Sequence, residues 1–243
     1  IYNACHIYSV VYYNYMSTIY IVGTTIGNLE DMTLRAIRIL KEVDLVLCDY
    51  TRVTKRLFER YSISTITMSY HAQSREAKVD LILEKIKEGK NIALVTDAGT
   101  PGISDPCSVL VSKVREQFKD IISSGELKIV SIPGASALTS ALSISGVPTH
   151  EFIFLGFMPH KKGRETLFKE IAESERTIIF YESTHRILKT LESLKKINKK
   201  ITIARELTKI YEEILQGSAE EILKILTNTP ERQRGEFVVI ISN

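Results

Sequence analysis

Short apolar runs alternate along this chain with longer stretches in which apolar positions recur every three to four residues. The runs read as buried strands and the longer stretches as helices packed on them, which predicts an α/β fold. Residues 18–24 read as a first strand. Asp31 then stands where it can cap a helix whose Ala36, Ile37, Leu40 and Val43 share one face. Residues 44–49 and 65–69 read as the next strands, and 76–88 as a helix with Val79, Ile82, Leu83 and Ile86 inward. Residues 91–96 and 127–132 complete a set of continuous apolar strands, and such strands favour a parallel sheet covered on both faces.

A helix beginning near Ala135 is broken by Gly146 and Pro148, which predicts a domain boundary. The alternation then restarts, with strands at 151–157, 176–181, 200–205 and 235–242 and helices at 164–173, 184–196 and 218–226. The expected organisation is therefore a first α/β domain at 18–147 with a largely parallel sheet, and a second α/β domain at 148–243 with a mixed sheet. Residues 1–17 are expected to form an extension outside the fold. Residues 1–15 hold no Lys or Arg, and Asn3, His6, Ser9 and Asn14 interrupt their apolar run, so they read neither as a signal peptide nor as a membrane span. The lysines at 195, 196, 199 and 200 read as a solvated helix end.

Composition narrows the class. With 243 residues, 44% hydrophobic and 25% charged, the chain is long enough for two small globular domains. Its net charge of +3 neither announces a nucleic-acid binder nor excludes a local basic face. Cys5, Cys48 and Cys107 are odd in number and far apart, which suits a reducing, cytoplasmic setting. Neither they nor the five histidines show metal-ligand spacing, so no metal is expected.

Ligands of open α/β sheets bind beyond the carboxyl ends of the strands. Three loops at such ends stand out: Gly23–Thr24–Thr25–Ile26–Gly27–Asn28, the run from Thr96 through Asp97 and Gly99 to Pro106, and Pro133–Gly134–Ala135–Ser136–Ala137. None matches a dinucleotide or triphosphate fingerprint. They offer one carboxylate at Asp97, hydroxyls at Thr100 and Ser136, and exposed backbone N–H groups, a set that suits an amino-acid-bearing nucleoside. In the second half, Phe180–Tyr181–Glu182–Ser183 and Ala204–Arg205–Glu206–Leu207–Thr208–Lys209 put polar clusters on consecutive strand ends. Each alone reads as capping; together they point to a shared cleft.

These motifs, with Ile26–Gly27–Asn28–Leu29–Glu30–Asp31, closely resemble the ribosomal-RNA-modifying branch of the tetrapyrrole methylase superfamily. The likeness runs from about Thr18 to Ile241. It implies two α/β domains, a homodimer, and S-adenosylmethionine held in the interdomain cleft. By motif, Asp97, Ala98, Gly99, Thr100, Ser136 and Ala137 would line the cofactor from the first domain, and Tyr181 and Glu182 from the second. The implied reaction is 2′-O-methylation of a cytidine ribose in 16S rRNA of the small ribosomal subunit. The chain departs from the branch at Thr25, where Pro is common; at Asp49 and Tyr50, where relatives carry Glu and Asp; at Ala72; and at Cys107, where Gly is common.

A ribose hydroxyl reacts only when its proton has somewhere to go, and a general base contributes about 10²–10⁴-fold. Asp49 and His71 are the candidates, with Arg52 steering phosphate. Lys161 and Lys162 are further candidate RNA contacts. Two other readings stand beside this one: a methyltransferase acting on a tetrapyrrole carbon, and a cofactor-binding ribosome-assembly factor without catalysis.

Overall fold

In a computed structural model, residues 17–71, 74 and 76–243 are described. The expected extension up to Met16 lies outside them, as does the departure at Ala72. Ser17, assigned to that extension, begins the first strand.

The first sheet contains β1 (Ser17–Val22), β2 (Leu45–Cys48), β3 (Thr67–Ser69), β4 (Ile92–Leu94) and β5 (Leu127–Ile132) in the order β3-β2-β4-β1-β5. Every pairing in it is parallel. β2 and β4 are buried along their whole length, as apolar strands covered on both faces should be. One face packs on α3 (Glu76–Lys87) and α4 (Cys107–Gln117), through Ile19, Leu47, Ile82, Leu94 and Leu110. The other packs on α1 (Leu34–Glu42) and α2 (Thr51–Tyr61), through Val22, Leu40, Val46, Phe58 and Val95. α5 (Lys119–Ser123) and α6 (Ala137–Ser145) follow. α6 ends at Gly146, which adopts the left-handed conformation, so the predicted break is real and is made by a C-cap.

One cap differs from expectation. Asp31 closes a 3-10 turn, and α1 is capped instead by Thr33, whose hydroxyl accepts from the Ala36 N–H at 3.0 Å. The helix therefore starts two residues further on, and its buried face holds Ala36, Ile39 and Leu40, with Ile37 half-exposed.

The second sheet is mixed, in the order β6-β7-β10-β8-β9. It comprises β6 (Phe152–Phe157), β7 (Thr177–Ser183), β8 (Lys200–Arg205), β9 (Glu213–Gly217) and β10 (Glu236–Ser242). β6 and β7 are parallel, and β10 runs antiparallel between β7 and β8. One face carries α7 (Arg164–Glu173), α8 (Ile187–Leu194) and α9 (Ala219–Asn228) over a core that includes Phe180, Leu191, Ile222 and Phe237. The other face joins the first half: Ile179, Ala204, Val238 and Ile240 pack with Ile26, Ala141 and Leu142. α8 starts at Ile187 rather than Thr184, because β7 runs on to Ser183.

Candidate active site

The three loops named from the sequence are bonded to one another. Gly23 N–H donates to Ile132 O at 2.9 Å, Thr24 N–H to Gly99 O at 2.9 Å, and Gly99 N–H to Thr25 O at 3.0 Å. The Thr100 hydroxyl donates to Ala135 O at 3.1 Å. The first and third loops touch at Gly23 and Gly134, where a Cβ on either would lie 2.7 Å from the other's backbone, so neither position admits a side chain without displacement. Across from them stand the carboxyl ends of β7 and β8 and, because β10 is antiparallel, its amino end. The halves meet at Asn28, whose N–H donates to the Thr208 hydroxyl at 3.0 Å.

Between the loops and those strand ends lies a cavity of about 500 Å³, within the range of small-molecule sites. Asp97, Ala98, Gly99, Thr100, Ser136, Ala137, Tyr181 and Glu182 all line it. Asp49 lines it too, whereas Arg52 and His71 do not reach its wall. Arg52 is exposed in the first turn of α2. The His71 ring stacks on Tyr50 with centroids 6.4 Å apart. Its Nδ1 is buried without a hydrogen-bond partner among the described residues.

The carboxylates at this end are desolvated. Burial pushes Asp49 above the usual carboxylate range and the charge of Asp97 pushes it further, while His71 pulls the other way. Asp97 is raised by burial and partly relieved by the Tyr50 N–H, 3.2 Å from its Oδ1. Asp105 is a turn former, accepting from the Gly102 and Cys107 N–H groups at 2.8 Å each. Burial pushes the Cys107 thiol up to about 12, so this departure contributes packing and not a nucleophile.

In the second half the polar clusters hold the frame. Glu182 lines the cavity, yet its carboxylate is saturated. Oε1 accepts from Ser183 N–H at 2.9 Å and pairs with Arg186 at 2.8 Å, and Oε2 accepts from Thr190 at 2.6 Å with Arg164 at 3.9 Å. Arg205 is likewise engaged, pairing with Glu213 at 2.8 Å and donating to three backbone carbonyls. Lys209 joins Glu206 and Glu236. Tyr181 turns its hydroxyl toward Ser136 and Leu138, and burial raises its pKa. Lys161 and Lys162 are exposed on the loop before α7. Sequence reasoning missed Phe157 and the run from Gly235 to Val238 as cavity residues. The last of these depends on the pairing of β10, which no local pattern reveals.

The chain is similar to known proteins over most of its length. The family model for tetrapyrrole (corrin/porphyrin) methylases matches residues 18–223. The ribosomal RNA small subunit methyltransferase I of Synechocystis sp. is 42% identical over 232 residues, covering 93% of this chain and 79% of that protein. The protein of the same name from Bacillus subtilis is 41% identical, covering 93% and 75%. Among solved structures, a diphthine synthase superposes with a TM-score of 0.67 at 14% identity, covering 93% of this chain and 90% of that one. The uroporphyrin-III C-methyltransferase of Thermus thermophilus, in complex with S-adenosylhomocysteine, superposes at 0.61 with 16% identity, covering 93% and 97%.

Proposed function

The chain belongs to the tetrapyrrole methylase family, with small-subunit rRNA methyltransferases among its relatives, and on that premise we propose that it methylates the 2′-hydroxyl of a cytidine ribose in 16S rRNA, using S-adenosylmethionine. The observation that carries this reading is the cavity between the two sheets, lined by the residues that the resemblance singles out. Residues 18–147 and 148–243 act in it as two domains facing one cleft, and the active form is a homodimer.

The site fits the cofactor's chemistry. Asp97 is desolvated, and no basic side chain among the described residues lies within ion-pair distance of it. An α-ammonium group supplies the missing charge. Ala98 and Ala137 bring only small side chains to the wall, Gly99 spends its N–H and its carbonyl holding the first loop, Thr100 and Ser136 add hydroxyls, and Tyr181 closes the far wall. Glu182 contributes by fixing that wall, since its oxygens are taken. When bound, S-adenosylmethionine supplies a methyl carbon activated by a sulfonium.

The protein's part is alignment and proton management. The ribose oxygen must approach to about 3–3.5 Å in line with the bond that breaks. Asp49 takes the hydroxyl proton: it lines the cavity, and its raised pKa brings its basicity closer to neutral pH. The nearby His71 favours the charged form of Asp49, and Arg52, Lys161 and Lys162 hold phosphates outside the cleft. The test is methyl transfer from labelled S-adenosylmethionine, offered in parallel small ribosomal subunits lacking this modification and the tetrapyrrole uroporphyrinogen III. Label in the subunits' RNA supports the reading, and label in the tetrapyrrole alone overturns it.

A further inference from the structure

At the mouth of the cavity two large apolar side chains from opposite halves of the molecule stand partly in solvent: Phe157, 55% exposed, and Ile103, 40% exposed. In β6, Ile153 and Leu155 face the core under α7–α9, while Phe154 faces the first half. Strict alternation would send residue 157 into that core with Ile153 and Leu155. Instead Gly156 takes a φ of +65°, and the pairing with β7 shifts between Phe154 and Phe157. Such a bulge re-aims a side chain. Phe157 now meets Tyr181 edge-on at 5.4 Å, on the same side as Phe154. The fold takes an aromatic residue out of a core and holds it at the rim.

It is held firmly. The next carbonyl, on Met158, accepts from Arg186 at 2.7 Å, and that of Pro159 accepts from Arg164 at 3.1 Å. Both guanidinium groups are fixed by the buried Glu182. Across the mouth, a Cβ on Gly156 would lie 3.1 Å from the Ser104 hydroxyl, so the loop carrying Ile103 comes against the bulge itself. Lys161 and Lys162 follow on the same loop, exposed and without an ion pair among the described residues.

We propose that Phe157 and Ile103 form a slot that stacks the base of the nucleotide being methylated, so that its ribose enters the cavity while the adjacent phosphates meet Lys161 and Lys162. This rests on the RNA reading above and deepens it. A flat, rigid aromatic face accepts any base once that base is turned out of its own stack. Phe157 sits on the second half at the rim, where a macromolecular substrate arrives, and faces the outer end of the loop that carries Ile103.

The experiment uses the full chain with Phe157→Ala, Phe157→Tyr and Ile103→Ala. It measures KM for small ribosomal subunits by methyl transfer and Kd for S-adenosylhomocysteine by calorimetry. Phe157→Ala should raise KM about tenfold, Phe157→Tyr should restore it, and Ile103→Ala should fall between, with Kd within about twofold of wild type throughout. That Kd also reports that the variants fold. An unchanged KM for Phe157→Ala, or a Kd that weakens in step with KM, overturns the slot. A wild-type chain that methylates no subunit overturns both the slot and the functional reading, whereas an active wild type matched by Phe157→Ala overturns the slot alone.

Discussion

In the proposed reaction Asp49 and Asp97 carry the chemistry of the cleft, and each has a consequence at the scale of a single side chain. Asp97→Ala removes the carboxylate proposed to meet the cofactor's ammonium. S-adenosylmethionine affinity should fall by at least ~1.5 kcal/mol, the scale of a charge-assisted hydrogen bond; calorimetry on the folded variant checks it. Asp49 has a raised pKa, chiefly through burial and then through Asp97. Its basic form is therefore lost at a higher pH than an ordinary carboxylate's as the solution is acidified. The rate of the chemical step should rise with pH through that raised value and level off above it. Asp49→Asn should abolish the dependence and lower kcat about 10²–10⁴-fold. The stability sign runs the opposite way. A carboxyl group with a raised pKa binds its proton more tightly folded than unfolded, so it lowers stability progressively as pH rises from the unfolded to the folded pKa. Asp49→Asn should thus melt higher than wild type near neutrality and show no such gain in acid, below both pKa values.

Glu182 belongs to the scale of elements, because it ties β7 to α7 and α8 through Arg164, Arg186 and Thr190. Removing one member of a buried ion network leaves the others unpaired, at a cost of about 3–5 kcal/mol. Glu182→Ala should lower Tm on the order of 10 °C, a loss that removing a mere ligand contact would not give; scanning calorimetry without cofactor distinguishes the two. The motif containing Glu182 was legible in the sequence, but this role was not, since its three partners come from other elements. The same limit explains other differences. The apolar strands of the first sheet were readable because burial on both faces leaves a continuous run. β9 was not, because Glu213–Gly217 is an edge strand whose half-exposed pattern resembles a loop. α2 was missed because its polar stretch, TRVTKRLFERY, buries only Thr54, Leu57 and Phe58. Phe157 was missed because the bulge at Gly156 breaks the alternation by which strand faces are read.

Over the whole molecule the net charge is only +3, so the proposed rRNA substrate, a polyanion, requires local basic contacts. Lys161 and Lys162 stand exposed on the loop before α7, with Arg52 exposed on the first half. Phosphate contacts release counterions, and affinity for subunits should fall steeply with salt. Lys161→Ala with Lys162→Ala should weaken subunit binding and flatten that slope by up to about two contacts' worth, with cofactor affinity nearly intact. Filter binding at several salt concentrations compares the two proteins, and equal slopes would remove these lysines from the RNA face. The reaction is defined by the atom that receives the methyl group. Methylating undermodified small subunits in vitro, digesting the 16S rRNA to nucleosides and identifying the labelled product by mass spectrometry reveals that atom. The expected product is a single labelled cytidine with the methyl group on its ribose 2′-oxygen. Label on a base carbon or nitrogen, on another nucleoside, or absent from the RNA would contradict it.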